Sequence, residues 1–120
     1  MKKKSKKAVA RKKKEFRYHK VQIINKKGEI VSIRHPAYIF LEKGNIYVYV
    51  TITHSNNIGE TILIQLRQNP NPKDKRESYW VAKIKNDRKD TFGKREKNWK
   101  INPQDDEDIR NLKKKDDSVD

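Results

Sequence analysis

The run Ile46, Tyr47, Val48, Tyr49, Val50, Thr51, Ile52, Thr53 leaves this chain little choice of fold class. Every position is β-branched or aromatic. Such side chains lose χ1 freedom in a helix and fit a pleated strand. The run alternates with period two. Ile46, Val48, Val50 and Ile52 share one face, and Tyr47, Tyr49, Thr51 and Thr53 share the other. The aliphatic face is predicted to meet a core. The second face is either half-covered by a neighbouring element or a working surface.

The surrounding sequence supports more strands. Val21, Ile23 and Ile24 make a short strand, Gly28 closes a turn with positive φ, and residues 29–33 return as the partner. Pro36 lacks an N–H and is predicted to interrupt the ladder, so residues 37–41 read as a third strand. A turn with Gly44 leads into the long strand. Residues 61–66 and 79–84 read as further strands. Between them, residues 68–77 form a polar loop held extended by Pro70 and Pro72. Residues 86–98 read as a basic connection and residues 99–101 as a last extended piece. Asn102 then suits an N-cap, with Pro103 at the first helical position. Asp105, Asp106, Glu107 and Asp108 precede Lys113, Lys114 and Lys115, the order a helix dipole favours. Ile109 and Leu112 would dock this helix. Its carboxylates are explained by capping and dipole rather than by a metal. Short strands with turns between them and one late helix predict a mainly β chain, a small closed or half-closed barrel of five to seven antiparallel strands.

Charge divides the chain unevenly. The protein has 120 residues and a formal net charge of +15. Its first 20 residues hold eleven cations and one acid, a local net charge of +10. Like charges at that density repel and bury nothing, which predicts a disordered basic N-terminal tail over residues 1–16. A barrel domain then spans 17–102, a helix 103–115 and a second disordered tail 116–120. Beside a phosphate backbone, Lys2, Lys3, Lys4, Lys6, Lys7, Arg11, Lys12, Lys13 and Lys14 would release counterions and bind regardless of sequence. An anionic membrane surface and a solvated tail with no partner are the competing readings. No amphipathic apolar face accompanies the lysines to favour the membrane.

Several function classes have no support in the residues. There is no cysteine, so no disulfide and no thiolate metal site. His19, His35 and His54 lack ligand spacing, and the chain has no phosphate-binding loop, dinucleotide fingerprint or nucleophile elbow. Neither a metal nor a cofactor is expected. No apolar run approaches the roughly 20 residues of a membrane span. No secretory leader is evident, and a cytoplasmic location is expected.

One region carries a candidate chemistry. Arg34, His35 and Pro36 open an apolar strand, and after a turn the next strand ends in Thr53, His54 and Ser55. This order resembles the PemK/MazF-like family of toxin ribonucleases over about residues 20–67, with one residue inserted in each of the family's Arg-Pro and Thr-Ser pairs. The resemblance implies an SH3-like barrel, a metal-independent endoribonuclease activity and an acidic antitoxin as protein partner. Cleavage by the 2′-hydroxyl needs proton transfer and stabilisation of developing negative charge. Arg34 would supply the second, His35 or His54 the first, and Thr53 or Ser55 a hydrogen bond to a phosphate oxygen.

A second set of residues suits nucleic acid without chemistry. Lys73, Lys75 and Arg76 sit on the proline-stiffened loop, Tyr79 and Trp80 follow it, and Lys94 and Arg95 lie beyond Phe92 and Gly93. Aromatics among cations are what single strands require, and equally what a small barrel with few aliphatic residues requires; as a partner, RNA is favoured over DNA. By alternation only one of Tyr79 and Trp80 can face outward. The expectation common to these readings is a nucleic-acid-binding protein, possible RNA cleavage being the sharper version. The alternatives are a non-catalytic binding module, or an interaction or inhibitor protein of a phage or mobile element that engages a nucleoprotein. Homodimers are compatible with each.

Overall fold

The computed structural model describes residues 9–54 and 62–118. The chain is mainly β. Its strands are β1 (Arg11–Ile24), β2 (Ile30–Lys43), β3 (Ile46–Thr53), β4 (Leu63–Gln65), β5 (Tyr79–Val81), β6 (Lys85–Arg88) and β7 (Phe92–Arg95), followed by the helix α1 (Pro103–Asp117). All seven strands belong to one antiparallel sheet of order β4-β5-β3-β2-β1-β7, with β6 also on β3.

The outer edge of β3 is divided between two strands. Ile46 to Tyr49 pair with β6, and Ile52 and Thr53 pair with β5. A 3-10 turn, Lys89–Thr91, joins β6 to β7, and β7 pairs with β1. The ring β1-β2-β3-β6-β7 is thus completed by a turn, which makes it a half-closed barrel.

Both faces of the sheet are buried at its centre. On one face Phe16, Tyr38, Phe40, Val48, Val50, Ile52 and Trp80 form the main core with Leu66 and Ile109. On the other, Ala37, Ile39, Tyr47 and Tyr49 pack with Phe92. The aromatic face of β3 is therefore the covered one of the two options, because β6, the 3-10 turn and β7 fold over it.

The helix forms as its sequence predicts. The Asn102 side chain accepts from the backbone N–H groups of Gln104 and Asp105, and Pro103 occupies the first turn. Ile109 is fully buried and Leu112 packs beside it. Two of the acids are buried as well. Asp105 takes the Arg67 backbone N–H at 3.0 Å and its guanidinium at 2.7 Å. Asp106 takes the Tyr38 hydroxyl at 2.6 Å and Arg110 Nε at 2.9 Å. These carboxylates dock the helix, which is why they lie at its buried side.

Several boundaries differ from expectation, the helix among them, since it runs to Asp117 and takes in the first two residues of the expected 116–120 tail. The strand β1 starts at Arg11, so residues 11–16 are ordered and not tail. Phe16 is buried in the core, and the neighbouring cations find acids: Lys13 Nζ lies 2.8 Å from Glu42, and Arg17 Nε lies 3.2 Å from Glu15. Those contacts offset the repulsion that charge density alone implied. Secondly, β2 runs through Pro36, which pairs with Tyr18 of β1. The β2–β3 ladder begins only at Ala37 and Thr51, so Pro36 stands where that side of β2 is open and an N–H is dispensable. Thirdly, the basic connection 86–98 contains most of β6 and all of β7. Their polar residues hid them, since each covers the barrel with backbone pairing more than with apolar side chains. The sixth predicted strand ends at Val81, before β6 begins.

Candidate nucleic-acid interface

The β1–β2 register aligns an unplanned set of side chains. Lys20 faces Arg34, Gln22 faces Ser32, Ile24 faces Ile30, and Tyr18 faces Pro36. Residues two apart share a face, so these pairs form one continuous surface. The Arg34 guanidinium lies 5.8 Å from the Tyr18 ring centroid. Gly93 of β7 lies under it, where a Cβ would stand 3.1 Å from Arg34 Nη2. The absence of a side chain at Gly93 keeps this space open.

Two grooves meet at Tyr18. One, of about 450 Å³, runs between Tyr18, Lys20 and Arg34 on the ribbon and Thr91, Phe92 and Gly93 opposite. The other, of about 270 Å³, runs between Tyr18, Trp99 and Lys97 and the loop residues Asn71, Pro72 and Lys73. Tyr18 and Trp99 meet edge to face at 6.0 Å. Both are half-buried, while Lys20, Arg34, Lys73 and Lys97 are exposed. An aromatic pair thus stands beside two grooves, each lined by two cations and one acid, Asp90 in the first and Glu96 in the second.

The loop that supplies Lys73 is held by its own side chains. Asn69 Oδ1 accepts from the Asn71 N–H and Asn71 Oδ1 from the Lys73 N–H, both at 3.0 Å. The Pro70 carbonyl accepts from the Lys100 N–H at 3.1 Å, tying the loop to the segment carrying Trp99. Arg76 is spent within the loop: its guanidinium pairs with Asp74 at 2.7 Å, which holds the Asp74 carboxyl far below its ordinary range. Lys75 is exposed.

The proposed chemical residues have separate partners. Arg34 and His35 leave opposite faces of β2, Arg34 toward Tyr18 and Gly93, and His35 toward the side on which Lys85 lies. Burial, assisted by the Lys85 charge, lowers the His35 pKa. Burial likewise lowers that of His19, which sits 3.4 Å from Asp87 and 3.2 Å from the Thr91 hydroxyl. Thr53 is buried in the β3–β5 ladder opposite Tyr79. His54 Nε2 lies 3.3 Å from Asp74, in the stiffened loop. Ser55 lies outside the described residues, as do Lys2, Lys3, Lys4, Lys6 and Lys7.

Of the remaining predicted contacts, Arg11, Lys12 and Lys14 are exposed on β1, and Lys94 and Arg95 on the edge strand β7. Lys13 is committed to Glu42 and Glu15. Trp80 is the core member of its pair, and the Tyr79 hydroxyl donates to Glu77 at 3.0 Å. Tyr18, Lys20, Gln22, Ser32 and Lys97 were not anticipated. Extending the period-two pattern through Pro36 would have placed Tyr18, Lys20 and Arg34 on one face.

Among the described residues no three His, Asp or Glu side chains are grouped to hold a metal ion. No helix among them is long and apolar enough to cross a membrane. No family model, curated protein or solved structure matches the chain.

Proposed function

We propose that this protein binds nucleic acid through the face built around Tyr18 and Trp99. The observation that carries the reading is the pair of grooves sharing Tyr18 as a wall, with Lys20 and Arg34 on one and Lys73 and Lys97 on the other. Exposed cations on both grooves suit backbone phosphates, and the aromatic edge offers a stacking surface wherever bases are unpaired. The lysines of residues 2–7 add sequence-independent affinity. A nucleic-acid partner is met in the cytoplasm.

Binding is better supported than strand cleavage. Cleavage needs a proton-transferring group beside the arginine that stabilises charge. Arg34 and His35 diverge, and His54 faces Asp74.

The test is a salt-titrated anisotropy measurement with single-stranded RNA, single-stranded DNA and duplex DNA. Wild-type affinity should fall steeply with salt for at least one probe. The Lys20→Ala/Arg34→Ala variant should lower the slope of log affinity against log salt by about 1.4–1.8 on that probe, two phosphate contacts' worth. Absence of binding to all three at low salt would remove the proposal.

A further inference from the structure

The β1–β2 hairpin extends past the barrel. The ladder with β3 stops at Ala37 and that with β7 at His19. Residues 20–24 and 30–34 pair only with each other, a two-stranded ribbon about 17 Å long at roughly 3.4 Å per residue. One face presents Lys20 and Arg34, then Gln22 and Ser32, then Ile24 and Ile30. All six are exposed, and the isoleucines unusually so, at 73% and 69%.

The ribbon's tip is built to hold its shape. Asn25 Oδ1 accepts from the N–H groups of Lys27 and Glu29, each at 2.9 Å, and Asn25 Nδ2 donates to the Glu29 carboxylate at 3.0 Å. Gly28 takes φ 81°, and its N–H reaches the Asn25 carbonyl at 3.0 Å. A tied-down turn keeps two exposed isoleucines at a fixed place, which lowers the entropy lost when they meet a partner. Residues 20–34 carry Lys20, Lys26, Lys27 and Arg34 against the single acid Glu29, whose carboxylate is already engaged by Asn25. The partner complementary to this arm is a polyanion with apolar groups on its inner surface.

We infer that the ribbon reads B-form duplex DNA, lying in the major groove with Gln22, Ser32, Ile24 and Ile30 toward A·T base pairs. The inference rests on the nucleic-acid reading above and names its substrate. A two-stranded ribbon fits the major groove, about 12 Å wide, and that groove alone displays the adenine donor–acceptor pair and the thymine methyl group. The deep, narrow major groove of an RNA helix does not admit them. Gln22 matches the paired donor and acceptor of adenine, and the isoleucines match the thymine methyl group. The four cations then lie along the flanking phosphates.

The experiment compares anisotropy titrations of the full-length protein with an A·T-rich duplex, a G·C-rich duplex of equal length, the A·T-rich duplex with every thymine replaced by uracil, and single-stranded RNA. Wild type should prefer the A·T-rich duplex about tenfold over the G·C-rich one. Loss of the thymine methyls should weaken wild-type binding severalfold and leave the Ile24→Ser/Ile30→Ser variant unaffected. Gln22→Ala should reduce the A·T preference. Thermal melts should show both variants folded, since the substituted side chains are exposed. Equal affinity for the three duplexes, or binding confined to single-stranded RNA, overturns the inference while leaving the nucleic-acid reading intact. Failure to bind any probe removes both.

Discussion

The Tyr38 hydroxyl donates to Asp106 Oδ1 over 2.6 Å, joining the middle of β2 to the first turns of α1. Arg110 completes the joint: it holds Asp106, and its other nitrogens donate to the Phe40 carbonyl at 2.8 Å and the Lys13 carbonyl at 2.7 Å. One helix is thereby fastened to the two longest strands by polar contacts at its buried side. Burial, with the adjacent carboxylate, pushes the Tyr38 pKa far above that of a free phenol, so the group stays a neutral donor.

Tyr38→Phe removes that donor and leaves a buried carboxylate oxygen short of one bond. Urea unfolding should show a loss of about 1–3 kcal/mol. Nucleic-acid affinity of the folded variant should not change, because the ring is kept and the hydroxyl that is removed bonds to the helix. A loss below about 0.5 kcal/mol would mean that Arg110 alone satisfies Asp106.

Glu42 gives the fold an acid-sensitive contact. Hydrogen bonds from Lys13 and then Lys89 lower its pKa from 4.5 to about 2. A depressed carboxylate stabilises fully above its unfolded pKa and loses that contribution as pH falls through its folded one. Stability should therefore decline between about pH 4.5 and pH 2, and the decline should be shallower in Glu42→Gln. Parallel pH profiles for the two proteins would contradict the pairing.

The first strand begins at Arg11, after the five lysines of residues 2–7. Deleting residues 1–10 removes five lysines and no part of β1, so it should lower the salt dependence of nucleic-acid binding and leave the melting temperature near wild type. Deleting residues 1–14 also removes Lys12, paired with Leu41, and Lys13, paired with Glu42, so the melting temperature should fall. Equal melting temperatures for both truncations would contradict the assignment of residues 11–14 to β1.

Gly93→Ala tests the groove apart from the charges. The new methyl would meet Arg34 Nη2 at 3.1 Å and the Tyr18 carbonyl oxygen at 3.5 Å. The guanidinium is the end of a flexible chain and can move, so stability should change by less than about 0.5 kcal/mol. Affinity for the best-bound probe should fall severalfold as Arg34 is displaced from Tyr18. Unchanged affinity would place the ligand elsewhere.

Much of this architecture is legible in the residues because local chemistry and tertiary demand agree. The period-two run of β3, the Gly28 and Gly44 turns and the Asn102–Pro103 helix start each carry a signal within a few residues. The candidate site is less legible. Arg34 and Lys73 stand out as exposed cations, but their relation to Tyr18 and Trp99 depends on strands and loops brought together from across the chain.

By itself the sequence determined that the chain is mainly β, that a helix follows Asn102, and that its charge is concentrated at the N-terminus, since propensity, capping and charge density are short-range properties. Only the tertiary structure decided that residues 11–16 are strand, that Pro36 lies inside β2, and that Arg34 and His35 part to opposite faces. Each depends on a neighbour distant in sequence: Glu42 neutralising Lys13, an open β2 edge tolerating proline, and a continuous ladder enforcing alternation. Register is set by pairing, and a short window of residues does not contain it.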